Sequence, residues 1–211
     1  MSEPRHTPED QVFQTYYGDN EQYMEDQWNW FIWRKIKDFD LSHVVDLACG
    51  YGRNTVKLLP HAGHVSLVDV NPDAIAKCRE RFAAAGDKVS YHLTEGKELV
   101  GIADASVTAI YSWDAMVHFE QEVMDAYARE FARVLKPGGQ GFIHHSNYGA
   151  IGAPRHWQDN PSWRSNTSAA SVAAALAAAG LEVIDQELQS WNWVDDLDCK
   201  TRFRKSAGIP N

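Results

Sequence analysis

Short apolar runs alternate with amphipathic stretches along most of this chain. Apolar runs of five to eight residues predict seven strands, at 43–47, 64–70, 89–93, 107–112, 141–145, 181–188 and 199–203. Between them, apolar positions recur at helical spacing, as in the alanine-rich stretch 169–179. The alternation predicts an α/β fold: a doubly wound, mostly parallel seven-stranded sheet with helices on both faces.

An aromatic helix is predicted ahead of the first strand, over residues 21–37. One helix face carries Tyr23, Trp30, Trp33 and Ile36, and a second apolar set lies beside it. A helix that is apolar around much of its circumference indicates either core packing or a lid over a bound ligand. Residues 1–10 are polar and are predicted to be disordered.

Length and charge restrict the class of protein. A chain of 211 residues is typical of one domain, here 1–211. The formal net charge of −9 disfavours nucleic acid as a partner. The basic residues near the C-terminus alternate and are predicted to form the solvent face of a strand. They are Lys200, Arg202, Arg204 and Lys205.

Cysteine usage and hydropathy indicate a cytoplasmic protein. The three cysteines have no regular spacing, which fits a reducing compartment rather than a disulfide framework. No secretory signal is visible at the N-terminus, and no apolar stretch has the length of a membrane span. The sequence leaves a homodimer open.

A turn of small residues follows the first predicted strand, in the segment VVDLACGYGRNT at 44–55. Ala48, Gly50 and Gly52 allow a sharp turn and close approach of a ligand to the backbone. The next helix begins there, and its unpaired N–H groups favour a carboxylate or phosphate. Alone, such a turn is equally typical of any tight strand–helix connection.

An acid at the end of the second strand adds a nucleoside signal. Asp69 lies 17 positions after Gly52, where a carboxylate can accept hydrogen bonds from ribose hydroxyls. The third glycine of a dinucleotide-binding fingerprint is absent, because Thr55 stands there. Asp46 would disfavour a pyrophosphate but can hold a cationic amino group. Thr55 and Asp46 therefore favour S-adenosylmethionine (SAM) over a dinucleotide.

Four ordered segments resemble the motifs of class I SAM-dependent methyltransferases of the small-molecule type. VVDLACGYGRNT resembles the first motif, with Ala48 in place of its first glycine, and SLVDVNPDAI resembles the second. AIYSWDAMVHFE resembles the segment around the fourth strand, and RVLKPGG the turn before the fifth. The resemblance implies SAM as the cofactor and a Rossmann-like fold.

The resemblance also implies cofactor contacts. Asp46 and the following turn would hold the amino acid end of SAM, and Asp69 its ribose. Val70, Glu95 and Gly96 would lie near the adenine. Ser112 and Trp113 would lie near the methionine moiety. The full predicted set is Asp46, Ala48, Cys49, Gly50, Gly52, Arg53, Asp69, Val70, Glu95, Gly96, Ser112 and Trp113.

Three histidines lie where the predicted sheet has its carboxyl edge, the ligand-binding edge of such folds. Histidine titrates in the range that suits a base for a hydroxyl acceptor. We expect His145 to be the base, with His118 next, and His144 to point to the opposite face. The three histidines and Asp114 could instead hold a divalent metal, although no metal is part of the prediction.

Acceptor contacts are predicted after the fourth and fifth strands. A long polar and aromatic loop at 148–166 suits a polar, ring-shaped acceptor such as a sugar. The predicted acceptor contacts are Asp114, Asn147, Tyr148, Trp163 and Arg164, with Trp157 in the same loop.

The predicted function is methyl transfer to a hydroxyl of a small polar acceptor, such as a sugar or natural product. N-methylation of a small-molecule amine is the alternative within the enzymes. A non-catalytic SAM-binding module is a second class. An NAD(P) oxidoreductase is a third, disfavoured by the missing glycine.

Overall fold

The computed structural model describes residues 21–153 and 155–208 and contains one seven-stranded sheet in the order β3-β2-β1-β4-β5-β7-β6. The strands are β1 (His43–Leu47), β2 (His64–Asp69), β3 (Val89–Leu93), β4 (Val107–Ser112), β5 (Leu135–Ser146), β6 (Leu181–Trp191) and β7 (Val194–Lys205). The first five pair in parallel, and β7 runs antiparallel to both β5 and β6. The predicted fold class is confirmed, while the disorder predicted for 1–10 lies outside the described residues.

Helices cover both faces of the sheet. The short helices α1 (Met24–Gln27) and α2 (Trp33–Ile36) precede β1, and α3 (Arg53–Leu58) follows it. The remaining α-helices are α4 (Pro72–Arg81), α5 (Gln121–Val134), α6 (Tyr148–Ile151) and α7 (Ala169–Ala178). Asn71 caps α4 as its sequence suggests, because its side chain accepts a hydrogen bond from the Asp73 N–H at 2.9 Å.

The N-terminal segment is helical from Glu21 to Ile36, with a π-helical turn at Trp28–Ile32. Its buried side is formed by Trp28, Ile32 and Ile36, whereas Tyr23 and Trp30 of the predicted face are exposed. The wider π turn changes the rotation between successive residues. The apolar face predicted from constant α-helical spacing therefore differs from the face that is buried.

Two apolar layers sandwich the sheet. One packs the N-terminal segment and α4 against residues such as Val44 and Phe142, and the other packs α5 and α7 against Val45 and Ile143. Neighbouring residues of a strand therefore face different layers. Within the described parts of the chain, no helix is long and apolar enough to cross a membrane.

The fifth strand is longer than its sequence suggests. The predicted turn at 136–139 lies inside β5, where the pairing register with β4 shifts between Val107 and Ala109. The prediction of a solvent face for the basic residues of β7 is wrong for Lys200, which is buried. β7 pairs on both sides, and Lys200 lies on the face that the N-terminal segment covers.

Candidate active site

The loop after β1 has a backbone path that favours residues with little or no side chain. Ala48, Gly50 and Gly52 all have positive φ angles, of 55°, 53° and 75°. A Cβ at Gly52 would overlap the ring of Phe82, so no side chain fits there. Ala48 adopts a backbone conformation that glycine tolerates better, which explains why the related motif has a glycine at this position.

Asp46 lies beneath this loop at the end of β1. Its buried carboxylate accepts a hydrogen bond of 2.5 Å from the Thr55 hydroxyl. Burial raises the pKa of Asp46 to about 7, against the effect of that hydrogen bond. Sequence reasoning used Thr55 only as evidence for a missing glycine. Its position in the first turn of the next helix was the available signal for this contact.

Asp69 ends β2 beside the same loop. Its carboxylate oxygens accept backbone hydrogen bonds from Gly50 at 2.8 Å and from Asn71 at 2.9 Å. Burial raises the pKa of Asp69 against these contacts. Val70 is 56% exposed, and Gly96 approaches it closely. An acid and an apolar surface therefore meet at this edge, with Glu95 exposed next to Gly96.

The loop after β4 contacts both β1 and the N-terminal segment. Ser112 donates to the Leu47 carbonyl at 2.9 Å, and the Trp113 ring nitrogen donates to Gln27 at 3.0 Å. Phe31 stacks on Trp113 with 5.9 Å between ring centroids. The N-terminal segment thus contacts a predicted cofactor residue.

Arg53 and Asp114 form an ion pair of 3.0 Å at this edge. Asp114 has a positive φ of 60°, a strained conformation of the kind that clusters at functional sites. Cys49 is buried, and its thiol lies near the Gly50 carbonyl, which the Cys78 thiol also contacts. The two cysteines help to fix the loop that carries both glycines.

His145, the expected base, points away from the cluster formed by Asp46, Asp69 and Trp113. Its ring nitrogens contact the Ser146 carbonyl at 2.8 Å and the Thr201 hydroxyl at 2.7 Å. The side chain is fully buried, and burial lowers the pKa of His145 to about 4. Both nitrogens already have protein partners, so this geometry leaves His145 no free lone pair for an acceptor.

Asn147 and Tyr148 are likewise turned inward. The Asn147 amide donates to the Asp196 carbonyl at 2.9 Å and accepts from the Ala169 N–H at 2.8 Å. Tyr148 is buried, and its hydroxyl donates to the Ala153 carbonyl. These contacts fix the loop after β5 and the start of α7, and they leave little of either side chain for an acceptor.

His144 belongs to a buried charged network that sequence reasoning missed. Its Nε2 lies 3.2 Å from the Asp198 carboxylate, and its Nδ1 accepts from the Asp114 N–H at 3.3 Å. Arg164 donates two hydrogen bonds, of 2.8 and 2.7 Å, to the Asp198 carboxylate. Although burial acts to raise it, the hydrogen bonds from His144 and Arg164 bring the pKa of Asp198 to about 2. Asp198 lies among other acids of β7, and nothing in its sequence neighbourhood marks it.

His118 is presented differently from the other two histidines. Its Nδ1 lies 2.8 Å from the Trp163 carbonyl, and a carbonyl can only accept, so Nδ1 carries the proton. Within the described residues Nε2 has no hydrogen-bond partner. Burial lowers the pKa of His118 below its usual value, against the effect of that hydrogen bond. The lowered pKa favours the neutral form of the ring, which with the proton on Nδ1 has its lone pair on Nε2.

The carboxyl edge thus brings together two groups of predicted residues. The nucleoside group is built around Asp46, Asp69 and the turn between them. The second group joins Arg53, Asp114, His118 and the loop that carries Trp163, which is 48% exposed. Across residues 21–153 and 155–208, no three histidine, cysteine or acidic side chains gather as metal ligands do.

The residues of the nucleoside group suit SAM. Gly50 and Gly52 adopt positive φ angles, the buried acids Asp46 and Asp69 lie beside their turn, and Val70 exposes an apolar surface. Together with the sheet order, they define a class I SAM-dependent methyltransferase fold. Residues 44–139 match the family model of a methyltransferase domain, so the chain carries a methyltransferase domain whose family and fold imply SAM as cofactor.

Known proteins resemble this chain over that domain. The methyltransferase GfsG of Streptomyces halstedii is 33% identical over 46% of this chain and 35% of its own length. The ubiquinone biosynthesis O-methyltransferase of Xylella fastidiosa (strain 9a5c) is 28% identical over 48% of this chain and 41% of its own. The chain therefore spans well under half of these relatives.

The fold likeness extends further than the sequence likeness. A SAM-dependent methyltransferase structure from Clostridium acetobutylicum ATCC 824 superimposes with a TM-score of 0.70 at 12% identity. That comparison covers 92% of this chain and 99% of the other, so the elements outside residues 44–139 also share the fold.

Proposed function

We propose that this protein transfers a methyl group from SAM to a hydroxyl of a small polar acceptor, such as a sugar or a natural product. The observation that carries the proposal is the His118 ring, neutral and held by the Trp163 carbonyl with Nε2 unpartnered. The name of the Xylella relative, an O-methyltransferase, supports the choice of oxygen as acceptor atom. One catalytic domain and a cytoplasmic location are part of the same proposal.

Binding of SAM is assigned to the nucleoside group. Asp46 would attract the cationic amino group, and Asp69 would accept hydrogen bonds from the ribose hydroxyls. Val70 and Gly96 would pack against the adenine. When bound, SAM supplies an electrophilic methyl group. Arg53 is held by Asp114 at 3.0 Å, which keeps its guanidinium near the same edge for a carboxylate.

His118 would act as the base in place of His145. A base in hydrogen-bond reach of a hydroxyl accepts its proton as the oxygen attacks, a contribution of about 10²–10⁴ in rate. Holding Nδ1–H on a carbonyl fixes both the tautomer and the orientation of the ring. The network of His144, Asp198 and Arg164 would position the loop that provides this carbonyl.

The acceptor would lie against the loop that follows β5. Trp163 is half exposed and stands perpendicular to Trp157, with 6.3 Å between the ring centroids. An exposed aromatic ring next to a base suits the apolar face of a sugar or another ring. Asp114 stays in the proposal as an acceptor contact, whereas Asn147 and Tyr148 are assigned to support of the loop.

The first experiment tests the cofactor. The purified protein is titrated with S-adenosylhomocysteine and, separately, with NAD and NADP while binding heat is recorded. We expect S-adenosylhomocysteine alone to bind, and Asp69→Ala to weaken that binding. Binding of a dinucleotide, or of no nucleotide, would contradict the proposal.

The second experiment tests the base. Hydroxyl and amine acceptors are screened with isotope-labelled SAM, and the best acceptor is used with His118→Gln and with the control His61→Gln. His61 is exposed and precedes β2, at the opposite edge of the sheet. We expect His118→Gln to lower turnover about 100-fold with S-adenosylhomocysteine affinity unchanged.

Two other outcomes of these experiments would favour the alternative functions. Methylation of amines alone, with little effect of His118→Gln, would favour the N-methyltransferase alternative, since a neutral amine needs less help from a base. Cofactor binding without any methylated product across the screen would favour the non-catalytic module.

A further inference from the structure

A cavity of about 310 Å³ opens between the N-terminal helical segment and the β6–β7 hairpin. Trp30 and Phe31 line one wall, and Lys200 and Arg202 of β7 line the other. None of its lining residues belongs to the nucleoside group or to the surroundings of His118. The cavity is thus separate from the site assigned to SAM and from the proposed base.

The cavity is positively charged in a chain with a net charge of −9. Four basic side chains line it: Arg34, Lys35, Lys200 and Arg202. Within 21–153 and 155–208, two carboxylates pair with them. Asp185 pairs with Lys35 and Arg202, and Glu187 pairs with Lys35 at 2.7 Å and Lys200 at 2.5 Å. Among the described residues, these four basic side chains exceed their acidic partners by two, which favours an anion in the cavity.

Lys200 is the most unusual member of this group. Its side chain is only 4% exposed, and its ammonium lies 5.0 Å from the centre of the Phe31 ring. A buried ammonium requires compensation by anions or hydrogen bonds. Its carboxylate partner Glu187 is shared with Lys35, so Lys200 receives only part of one negative charge.

Arg34 and Trp30 are the members that face solvent. Arg34 is exposed and has no ion pair or hydrogen bond with any other residue that the structure describes. Trp30 is 65% exposed, which is unusual for so large an apolar side chain. An exposed guanidinium next to an exposed indole offers both a charge contact and a stacking surface.

We propose that this cavity binds a small organic anion: a carboxylate or phosphate attached to a flat ring. Lys200 and Arg34 hold the anionic group, and Trp30 and Phe31 pack against the ring. Phe31 also stacks on Trp113, so the occupant lies one aromatic ring away from the candidate active site. The inference does not depend on the proposed methyl transfer.

The test uses phenyl phosphate as the probe and inorganic phosphate as its ring-free counterpart. The full chain is titrated with each, with and without saturating S-adenosylhomocysteine, and tryptophan fluorescence and heat are recorded. We expect phenyl phosphate to bind more tightly than phosphate and to remain bound when S-adenosylhomocysteine is present. Displacement by S-adenosylhomocysteine, or no binding at millimolar probe, would overturn the proposal.

Variants identify the cavity as the site. Arg34→Gln and Lys200→Met should each weaken phenyl phosphate binding about tenfold, because each removes a charge-assisted hydrogen bond. The control Arg204→Gln changes an exposed arginine of the same strand that lies outside the cavity and pairs with Glu182. Equal affinity in Arg34→Gln and in the control would refute the assignment.

Folding and cofactor binding are checked separately. Arg34 is exposed, so its variant tests the cavity even if Lys200→Met fails to fold. S-adenosylhomocysteine affinity should be the same in all folded variants. A protein that binds phenyl phosphate in the cavity but not S-adenosylhomocysteine would support this inference and contradict the proposed function.

Discussion

Arg53 and Asp114 form a 3.0 Å ion pair that joins the loop after β1 to the loop after β4. The two side chains are only 11% and 7% exposed, so solvent screens the pair little. The pair fixes the relative position of the nucleoside group and of the segment that leads to His118. Removal of one partner takes this ion pair away from the other, nearly buried charge, which costs more than the pair contributes by itself.

We expect Asp114→Asn to lower the free energy of unfolding by about 3 kcal/mol, measured in urea. Asparagine tolerates the positive φ at this position, so the effect reports on the charge. The double variant Arg53→Gln with Asp114→Asn should lose about 1 kcal/mol less unfolding free energy than the two single variants lose together. Strict additivity would show that the two charges do not interact.

The buried carboxyl of Asp46 predicts a pH-dependent cofactor affinity. Its pKa is raised to about 7, so the group is neutral below that pH and charged above it. Only the charged form attracts an amino cation, so the affinity for S-adenosylhomocysteine should rise between about pH 6 and pH 8. Asp46→Asn should remove this rise and weaken binding about tenfold at pH 8. The exposed Asp87 provides the control, Asp87→Asn.

The same pKa has a consequence for stability. Between the ordinary value of 3.8 and about 7, the folded state keeps a proton that the unfolded state releases. The contribution of Asp46 to the free energy of unfolding therefore falls as the pH rises through that window. Asp46→Asn should be more stable than the parent protein at pH 8, and a less stable variant would show that the Thr55 hydrogen bond outweighs the cost of burying the carboxylate.

The Asp198 network predicts loss of stability in acid. Its pKa is lowered to about 2, so its stabilising contribution is complete above about pH 4 and is lost as the pH falls towards 2. Asp198→Asn should cost about 3 kcal/mol at pH 7, because the buried Arg164 then loses its ion pair with Asp198. The exposed Asp195 of the same strand is the matched control, and Asp195→Asn should change stability by less than about 0.5 kcal/mol.

Ala48 stores backbone strain at a φ of 55°. We expect Ala48→Gly to raise the free energy of unfolding by up to about 1 kcal/mol, since glycine adopts this conformation without a steric cost. The same substitution in the middle of α7, Ala174→Gly, should lower it by about 1 kcal/mol. Destabilisation by both substitutions would show that the loop is not strained at this residue.

The local patterns of the chain determined most of the fold. Each strand of the sheet was predicted from a run of apolar residues, and β1, β3 and β4 begin and end at the predicted residues. The glycine turn and Asp69 were also found, because turn geometry and strand ends depend on residues close together in the chain. These signals sufficed to infer the methyltransferase resemblance and the edge of the sheet that carries the site.

The hydrogen-bond partners of the individual histidines were decided only by the tertiary structure. Sequence spacing placed His118, His144 and His145 at the same edge and favoured His145. Pairing of β5 with β7 brings Thr201 to the His145 ring across 56 positions of sequence, and that contact occupies the nitrogen that a base would need. The position of Trp163 beside His118 is equally non-local.

The burial of charged side chains was also decided by the tertiary structure. An alternating strand with one solvent-facing side was the sequence interpretation of Lys200, but coverage by the N-terminal segment buries it against Phe31. Asp198 acquires its low pKa from His144 and Arg164, which lie on other segments. Sequence periodicity determines which side of an element a residue occupies, whereas the partners that set its charge and chemistry come from distant segments that meet only in the folded chain.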